Sequence, residues 1–292
     1  MDIIKTAKLN KHYGKSRGII DIDLTVEKGD FFGFIGPNGA GKSTTIRTLL
    51  GLISPSSGSA RIFDKDIVKD KKEILMNVGY LPSEAIFYQG MKVKELLKLS
   101  ADLHKKDCTK ESQRLCALLQ LDENRRIDEL SFGNRKKVGI VAALQHEPEL
   151  LILDEPTSGL DPLMQKVFFD ILKEKNQQGV TIFISSHILS EIEHYCNKAA
   201  IIKEGRIIAL DSVETLCKKS AKRFVVNGEI DLSKLNGIKG FKADNGISTF
   251  LYNGEIEELL KVLAKGKIRD LTISEPDLEE VFMHYYEKDG EE

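Results

Sequence analysis

The stretch Gly36-Pro37-Asn38-Gly39-Ala40-Gly41-Lys42-Ser43-Thr44 sets glycines ahead of a lysine and two hydroxyls, in the pattern G-x-x-x-x-G-K-[ST]. Glycines let successive backbone N–H groups turn inward and form a concave nest for anionic oxygens. A helix opening at Lys42 would add its positive dipole end to that nest. Lys42 would reach the β- and γ-phosphates of a nucleotide, and Ser43 would give its hydroxyl oxygen to Mg²⁺. A Gly-rich turn with a chance lysine is the plainer alternative. The buried-strand pattern before the loop and the amphipathic pattern after it favour the phosphate site.

A second pair of residues points to the same chemistry. The apolar run Leu150-Leu151-Ile152-Leu153 leads directly into Asp154-Glu155. Two acids at the end of a buried strand are costly unless a cation meets them. A Mg²⁺-nucleotide would do so, with Asp154 holding the ion and Glu155 orienting or deprotonating an attacking water. Strand carboxyl ends are also where open α/β sheets collect ligands. Without the Gly-rich loop, a solvated strand end would be the better reading of this pair.

These residues need elements to hold them. Residues 3–9 and 20–26 read as short strands, with a turn at His12-Tyr13-Gly14. Residues 31–35 are almost wholly apolar, as expected of a strand covered on both faces. Ile46, Leu49, Leu50 and Ile53 lie at helical spacing, and residues 54–58 end that helix. Apolar stripes across 93–121 predict helices. Strands at 150–153 and 180–185 flank an amphipathic stretch at 165–175, so the sheet is parallel. Glu204-Gly205 sits between two apolar runs as a hairpin turn.

Composition limits the class of function. Lys and Arg number 43 against 45 Asp and Glu, a net charge of -2, which argues against bulk nucleic-acid binding. Hydrophobic residues make 41% and charged residues 30%, the balance of an ordinary globular chain. No run approaches the ~20 apolar residues of a membrane helix, and no signal-peptide pattern opens the chain. Cys108, Cys116, Cys196 and Cys217 have no metal-ligand spacing and read as reduced thiols. After about residue 216 the composition turns polar and basic. Residues 217–292 read as a small α+β domain.

In their order along the chain, these motifs resemble an ATP-binding cassette (ABC) ATPase, the motor subunit of ABC transporters, over about residues 3–216. The phosphate loop is Gly36 to Thr44. The family signature corresponds to Leu130-Ser131-Phe132-Gly133-Asn134, the Walker B strand to 150–154, and the catalytic acid to Glu155. Ser158-Gly159-Leu160-Asp161 matches the D-loop, Ser185-Ser186-His187 the switch histidine, and Tyr13 the aromatic that stacks on adenine. The resemblance implies a P-loop NTPase cassette with a mainly parallel central sheet, an antiparallel β subdomain and a helical subdomain at about 91–145. It implies ATP and Mg²⁺ as ligands and a head-to-tail homodimer or heterodimer of cassettes. Ser131 and Gly133 would then contact the γ-phosphate in trans, and His187 would report that phosphate. Each residue has a plainer alternative: helix capping for Ser131, a core or capping place for His187, core packing for Tyr13. Arg135-Lys136-Lys137 reads as a solvated helix face.

The sequence also departs from the family. Phe132 and Asn134 replace a signature glycine and glutamine, and Ser83-Glu84 stands where a glutamine that couples to the membrane partner is usual. The closest likeness is to exporter subunits of the bacitracin- and daunorubicin-resistance type. Residues 80–84 and the ending Glu275-Pro276-Asp277-Leu278-Glu279-Glu280-Val281-Phe282 both fit that branch. The expected protein is a cytoplasmic ATPase, peripheral on the inner membrane face through a permease, with no nucleic-acid partner. Two alternatives are a nucleotide-gated module that scarcely hydrolyses ATP and a soluble ABC protein outside transport. The intact Glu155 argues against the first. A single cassette without heptads argues against the second.

Overall fold

The fold comes from a computed structural model that describes residues 1–14, 16–88, 90–218, 222–232, 235–252 and 254–287. The chain divides into two compact units, Met1–Leu210 and Asp211–Glu292.

The first unit opens with β1 (Asp2–Tyr13), β2 (Ser16–Ile22), β3 (Thr25–Glu27) and β4 (Phe31–Ile35). Helix α1 (Lys42–Leu49) succeeds the phosphate loop, then β5 (Ser57–Ile62), β6 (Lys65–Asp66), α2 (Lys71–Met76) and β7 (Val78–Leu81). Three helices come next, α3 (Val93–His104), α4 (Thr109–Leu118) and α5 (Phe132–Leu144). The chain then alternates β8 (Leu150–Asp154), α6 (Pro162–Gln177), β9 (Thr181–Ser186), α7 (Leu189–Tyr195), β10 (Lys198–Lys203) and β11 (Arg206–Ser212), within which the first unit ends.

The main sheet has the order β11-β10-β4-β9-β8-β7, and the pairs from β10 to β7 are all parallel. The apolar runs supply its centre: every residue of β4, β8 and β9 is buried. Phe183 stacks on Phe32 with centroids 5.6 Å apart and meets Phe34 at 5.4 Å. Because β9 lies between β4 and β8, the loop after β4 and the acids ending β8 leave the sheet at one edge, one strand apart. A second, antiparallel sheet of order β2-β1-β5-β6, with β3 on β1, supplies the β subdomain.

Several boundaries differ from the sequence reading, each for a local reason. Helix α1 stops at Leu49 rather than running to Ile53. Gly51 takes φ +60°, its N–H bonds the Thr48 carbonyl, and the Leu52 N–H bonds the Arg47 carbonyl, both at 2.9 Å. This is a left-handed helix stop built on glycine. The strand expected at 20–26 is broken at Asp23-Leu24 into β2 and β3. Strands β5 and β6 and helix α2 have no counterpart in the sequence reading. β5 is polar and mostly exposed, and the other two are very short, so none shows a hydrophobic period. At Glu204-Gly205 both residues have positive φ, 52° and 79°, as a two-residue hairpin requires.

Helices α3, α4 and α5 pack together, and ion pairs fasten α4 to α6. Lys175, almost fully buried, meets Glu111 at 2.7 Å, and Arg114 bridges Glu111 at 2.8 Å and Glu174 at 3.0 Å. The Glu111 carboxyl is lowered chiefly by its bonds to Arg114, with Lys175 adding to them against burial.

The second unit contains α8 (Val213–Lys218), β12 (Lys222–Glu229), β13 (Ile238–Asp244), β14 (Ile247–Tyr252), α9 (Ile256–Leu263), β15 (Lys267–Ser274) and α10 (Leu278–Glu287). Its sheet order is β13-β14-β12-β15, and Phe224, Val226, Phe250, Tyr252, Leu259 and Leu263 form its core. In the polar, basic stretch after residue 216, residues 217 and 218 are the last of α8 and 222–223 open β12; residues 219–221 lie outside the described residues.

Candidate nucleotide site

The phosphate loop leaves β4 at Gly36 and returns into α1 at Lys42. Gly39 and Gly41 take φ of 81° and 113°, which side chains resist. A Cβ at Gly36 would lie 2.6 Å from the Ile202 carbonyl oxygen, so the backbone there leaves no room for alanine. Gly36 and Ala40 are buried, while Pro37, Asn38 and Gly39 face solvent. The Ala40 N–H donates to the Pro37 carbonyl at 3.2 Å, and the Gly205 N–H donates to the Ala40 carbonyl at 2.8 Å. The hairpin after β10 therefore braces the loop.

Lys42 is 4% exposed. Its ammonium donates to the carbonyls of Gly36 at 2.6 Å and Pro37 at 3.2 Å, and lies 3.1 Å from Glu155 Oε1. The second carboxylate oxygen of Glu155 is 3.1 Å from His187 Nδ1. One acid thus takes a cation on one oxygen and an imidazole on the other. Burial pushes the Glu155 carboxyl up, but the bond and charge of Lys42, with His187 behind them, outweigh it and hold it below its ordinary 4.5. Glu155 also sits at φ +46°, a conformation that costs a non-glycine residue energy and tends to occur where function needs it. The β9 end fixes it: the Glu155 N–H reaches the carbonyl and the hydroxyl of Ser185 at 3.1 and 3.2 Å.

Asp154 is 1% exposed and pairs in register with Ser185, whose hydroxyl donates to Oδ1 at 2.5 Å. Its other oxygen, Oδ2, is buried with no hydrogen-bond partner among the described residues. Buried acceptors seldom stay unpaired. A hard cation, directly or through water, is the partner such an oxygen fits.

The structure therefore brings Gly36, Lys42, Asp154, Glu155 and His187 into one cluster. Ser43 and Thr44 stand in the first turn of α1 beside it. Ser131, Gly133 and Asp161 do not join it by any hydrogen bond among the described residues. Ser131 caps α5, accepting from the Asn134 N–H at 3.3 Å, and Asp161 caps α6, accepting from Met164 N–H at 3.0 Å. Both caps belong to one small assembly. A Cβ on Gly133 would lie 2.5 Å from the Gly159 carbonyl, and one on Gly159 would lie 2.3 Å from the Phe132 ring. Phe132, half exposed, thus packs across the D-loop glycine. Gly159→Ala is expected to destabilise the chain by about 1–3 kcal/mol in urea titration. Adding Phe132→Gly should return the part due to the ring, leaving the cost of φ +81°.

Tyr13 ends β1 with 43% exposure and Lys11 Nζ 5.4 Å from its ring centre, so it is not a core residue. The strand after it is anchored at the loop. A Cβ on Gly41 would come within 3.0 Å of Ile19 Cγ2, and the Ile20 N–H bonds the Gly205 carbonyl at 2.7 Å.

Three residues escape the sequence reading. Ser185 is legible there only as part of a motif, yet it holds both acids. Lys136 and Lys137, read as a solvated face, are 2% and 9% exposed. Helix α5 is covered on nearly all sides from Lys136 to Leu144.

Comparison with known proteins decides the class. The bacitracin transport ATP-binding protein BcrA of Bacillus licheniformis is 38% identical over 96% of both chains. The chain belongs to the ABC transporter ATPase family. The family model described as ABC transporter matches residues 19–158 of this ABC ATPase, which include the phosphate loop and the acid pair. The linearmycin resistance ATP-binding protein LnrL of Bacillus subtilis is 32% identical over 74% of this chain and 71% of its own. A solved ATP binding subunit of an ABC transporter superposes with a TM-score of 0.69 at 30% identity, covering 74% of this chain and 92% of that one. This ABC ATPase is an ATP-driven motor subunit. Subunits of this kind work with membrane permeases and dimerise. No helix among the described residues is long and apolar enough to cross a membrane.

Proposed function

We propose that this ABC ATPase drives an exporter of a peptide, drug or lipid, and that its catalytic centre is the cluster on Glu155. The two contacts of Glu155, Lys42 on one oxygen and His187 on the other, carry this reading. They set a general base beside the cation and the imidazole that a γ-phosphate would engage.

In this reading the backbone of Gly36, Pro37, Asn38, Gly39, Ala40 and Gly41, with Lys42, Ser43 and Thr44, cradles the triphosphate, and Tyr13 stacks on adenine. Ser43 and Asp154 would hold Mg²⁺, whose charge would offset that developing on the phosphate oxygens. Glu155 accepts a proton from the attacking water. His187, through the ring nitrogen not turned to Glu155, meets the γ-phosphate. Lys42 neutralises the phosphate charge. Ser131, Gly133 and Asp161 act at the dimer interface, where the signature of one cassette closes on the nucleotide of the other. Residues 1–216 form the cassette, with a helical subdomain at about 91–145, and 217–292 an accessory domain. The protein works on the inner face of the cell membrane through its permease.

Exporter and cargo class rest on the relatives, which are named for bacitracin transport and linearmycin resistance. The test is affinity capture of the tagged chain from host membranes, paired with deletion of its gene. A co-purifying multi-span permease, and a deletion strain more sensitive to membrane- or wall-directed antibiotics, are expected. A chain recovered without a membrane protein would contradict this reading.

A further inference from the structure

Lys136 lies five residues into the helix that Ser131 caps, and it is 2% exposed. Its ammonium donates to the carbonyls of Pro82 at 3.2 Å and Ser83 at 2.9 Å. No carboxylate lies within ion-pair distance of it among the described residues. A buried ammonium held by two neutral carbonyls is costly, so the contact calls for a reason.

The place of those carbonyls supplies one. Pro82 and Ser83 are the first residues beyond β7, and the last pair of the β7–β8 ladder is Leu81 with Leu153. The two carbonyls therefore stand where β8 delivers Asp154 and Glu155. Burial pushes Lys136 down to about 8, against the weaker fields of Asp154 and Glu155, which favour its charge. One turn along α5, a Cβ on Gly139 would lie 2.8 Å from Leu81 Cδ1. Helix α5 is thus pressed on the end of β7 at two successive turns, once by packing and once by charge. The contact uses main-chain oxygens, so it does not need the glutamine that is absent at Ser83-Glu84.

We propose that Lys136 is a positioning residue that ties the signature helix to the segment beside Asp154 and Glu155. Seating Ser131 on the partner cassette's nucleotide then adjusts the hydrolytic site of its own cassette. Two-way coupling of the two ATP sites would run through this contact. The inference rests on the dimeric reading above.

The test compares the full-length chain with Lys136→Met and Lys136→Arg. Met fills a similar volume without charge, and the two carbonyls it releases belong to half-buried residues, where water can take the place of the ammonium. Thermal melting and binding of a fluorescent ATP analogue are read beside the ATP dependence of phosphate release. Lys136→Met should keep its melting temperature and bind the analogue within about twofold of wild type. It should lose about tenfold in kcat, within the span of site–site coupling energies, and its ATP dependence should become non-cooperative. Lys136→Arg, which can still donate to both carbonyls, should recover most of both.

Cooperative wild-type turnover with Lys136→Met indistinguishable from it would overturn this inference alone. So would a Lys136→Met whose melting and nucleotide binding fall in step with kcat, since that marks a merely structural residue. A wild-type chain that never dimerises on ATP would overturn both this inference and the reading beneath it.

Discussion

Glu155→Gln should lower steady-state phosphate release by about 10²–10⁴, the span for a lost general base, while ATP still binds. The substitution keeps the shape of the side chain and removes its ability to accept a proton. It also leaves the cradle intact, because none of the loop's backbone bonds pass through Glu155. Direct ATP binding and phosphate release, measured on one preparation, separate the two effects. A variant with full turnover would take the base role away from Glu155.

The pH dependence has its origin in the same contacts. The carboxyl is depressed below its ordinary 4.5, so Glu155 is fully ionised at neutral pH. Turnover should not fall through loss of this base until the pH drops below that value. The linked stability has the same sign. Because the folded-state value is depressed, the contribution is present above about 4.5 and is lost as pH falls through the folded-state value. With its side chain 20% exposed, Glu155 supplies a modest share.

Lys42→Ala acts on binding instead. A hydrogen bond to a charged partner is worth about 1.5–3 kcal/mol, so ATP affinity should fall by roughly tenfold to a hundredfold. The variant also strips Glu155 of its largest opposing partner, so burial then pushes that carboxyl upward. Lys42→Ala should therefore show weaker binding together with a turnover limb shifted to higher pH. Lys42→Met, which restores bulk without charge, separates packing from electrostatics. Unchanged ATP affinity in both would refute the loop assignment.

The parts of the site legible in the sequence are those whose residue types are dictated by local backbone chemistry. The glycines of the loop, the buried strands before Gly36 and Asp154, and the order of the motifs are all of that kind. Ser185 is hidden because its bonds to Asp154 and Glu155 depend on the register of β8 against β9. Lys136 misleads because a basic run on a helix ordinarily faces water, and only tertiary packing covers α5 on nearly all sides from Lys136 onward. The stop at Gly51 is masked because the apolar spacing continues through Ile53, beyond the turn that ends α1. Phe132 reads in the sequence as a bare departure from a motif. Its use becomes visible only with the ring in place over Gly159.

We infer that the loop at Lys42 and the acids at Asp154 and Glu155 serve one triphosphate. A crystal structure of Glu155→Gln with ATP and Mg²⁺ tests it most directly. Expected are γ-phosphate oxygens within hydrogen-bond distance of Lys42 Nζ, an ion held by Ser43 and Asp154, and Ser131 of a second copy closing the far side. A nucleotide bound elsewhere, or phosphates in the loop with Asp154 Oδ2 turned away from ion and water alike, would contradict it.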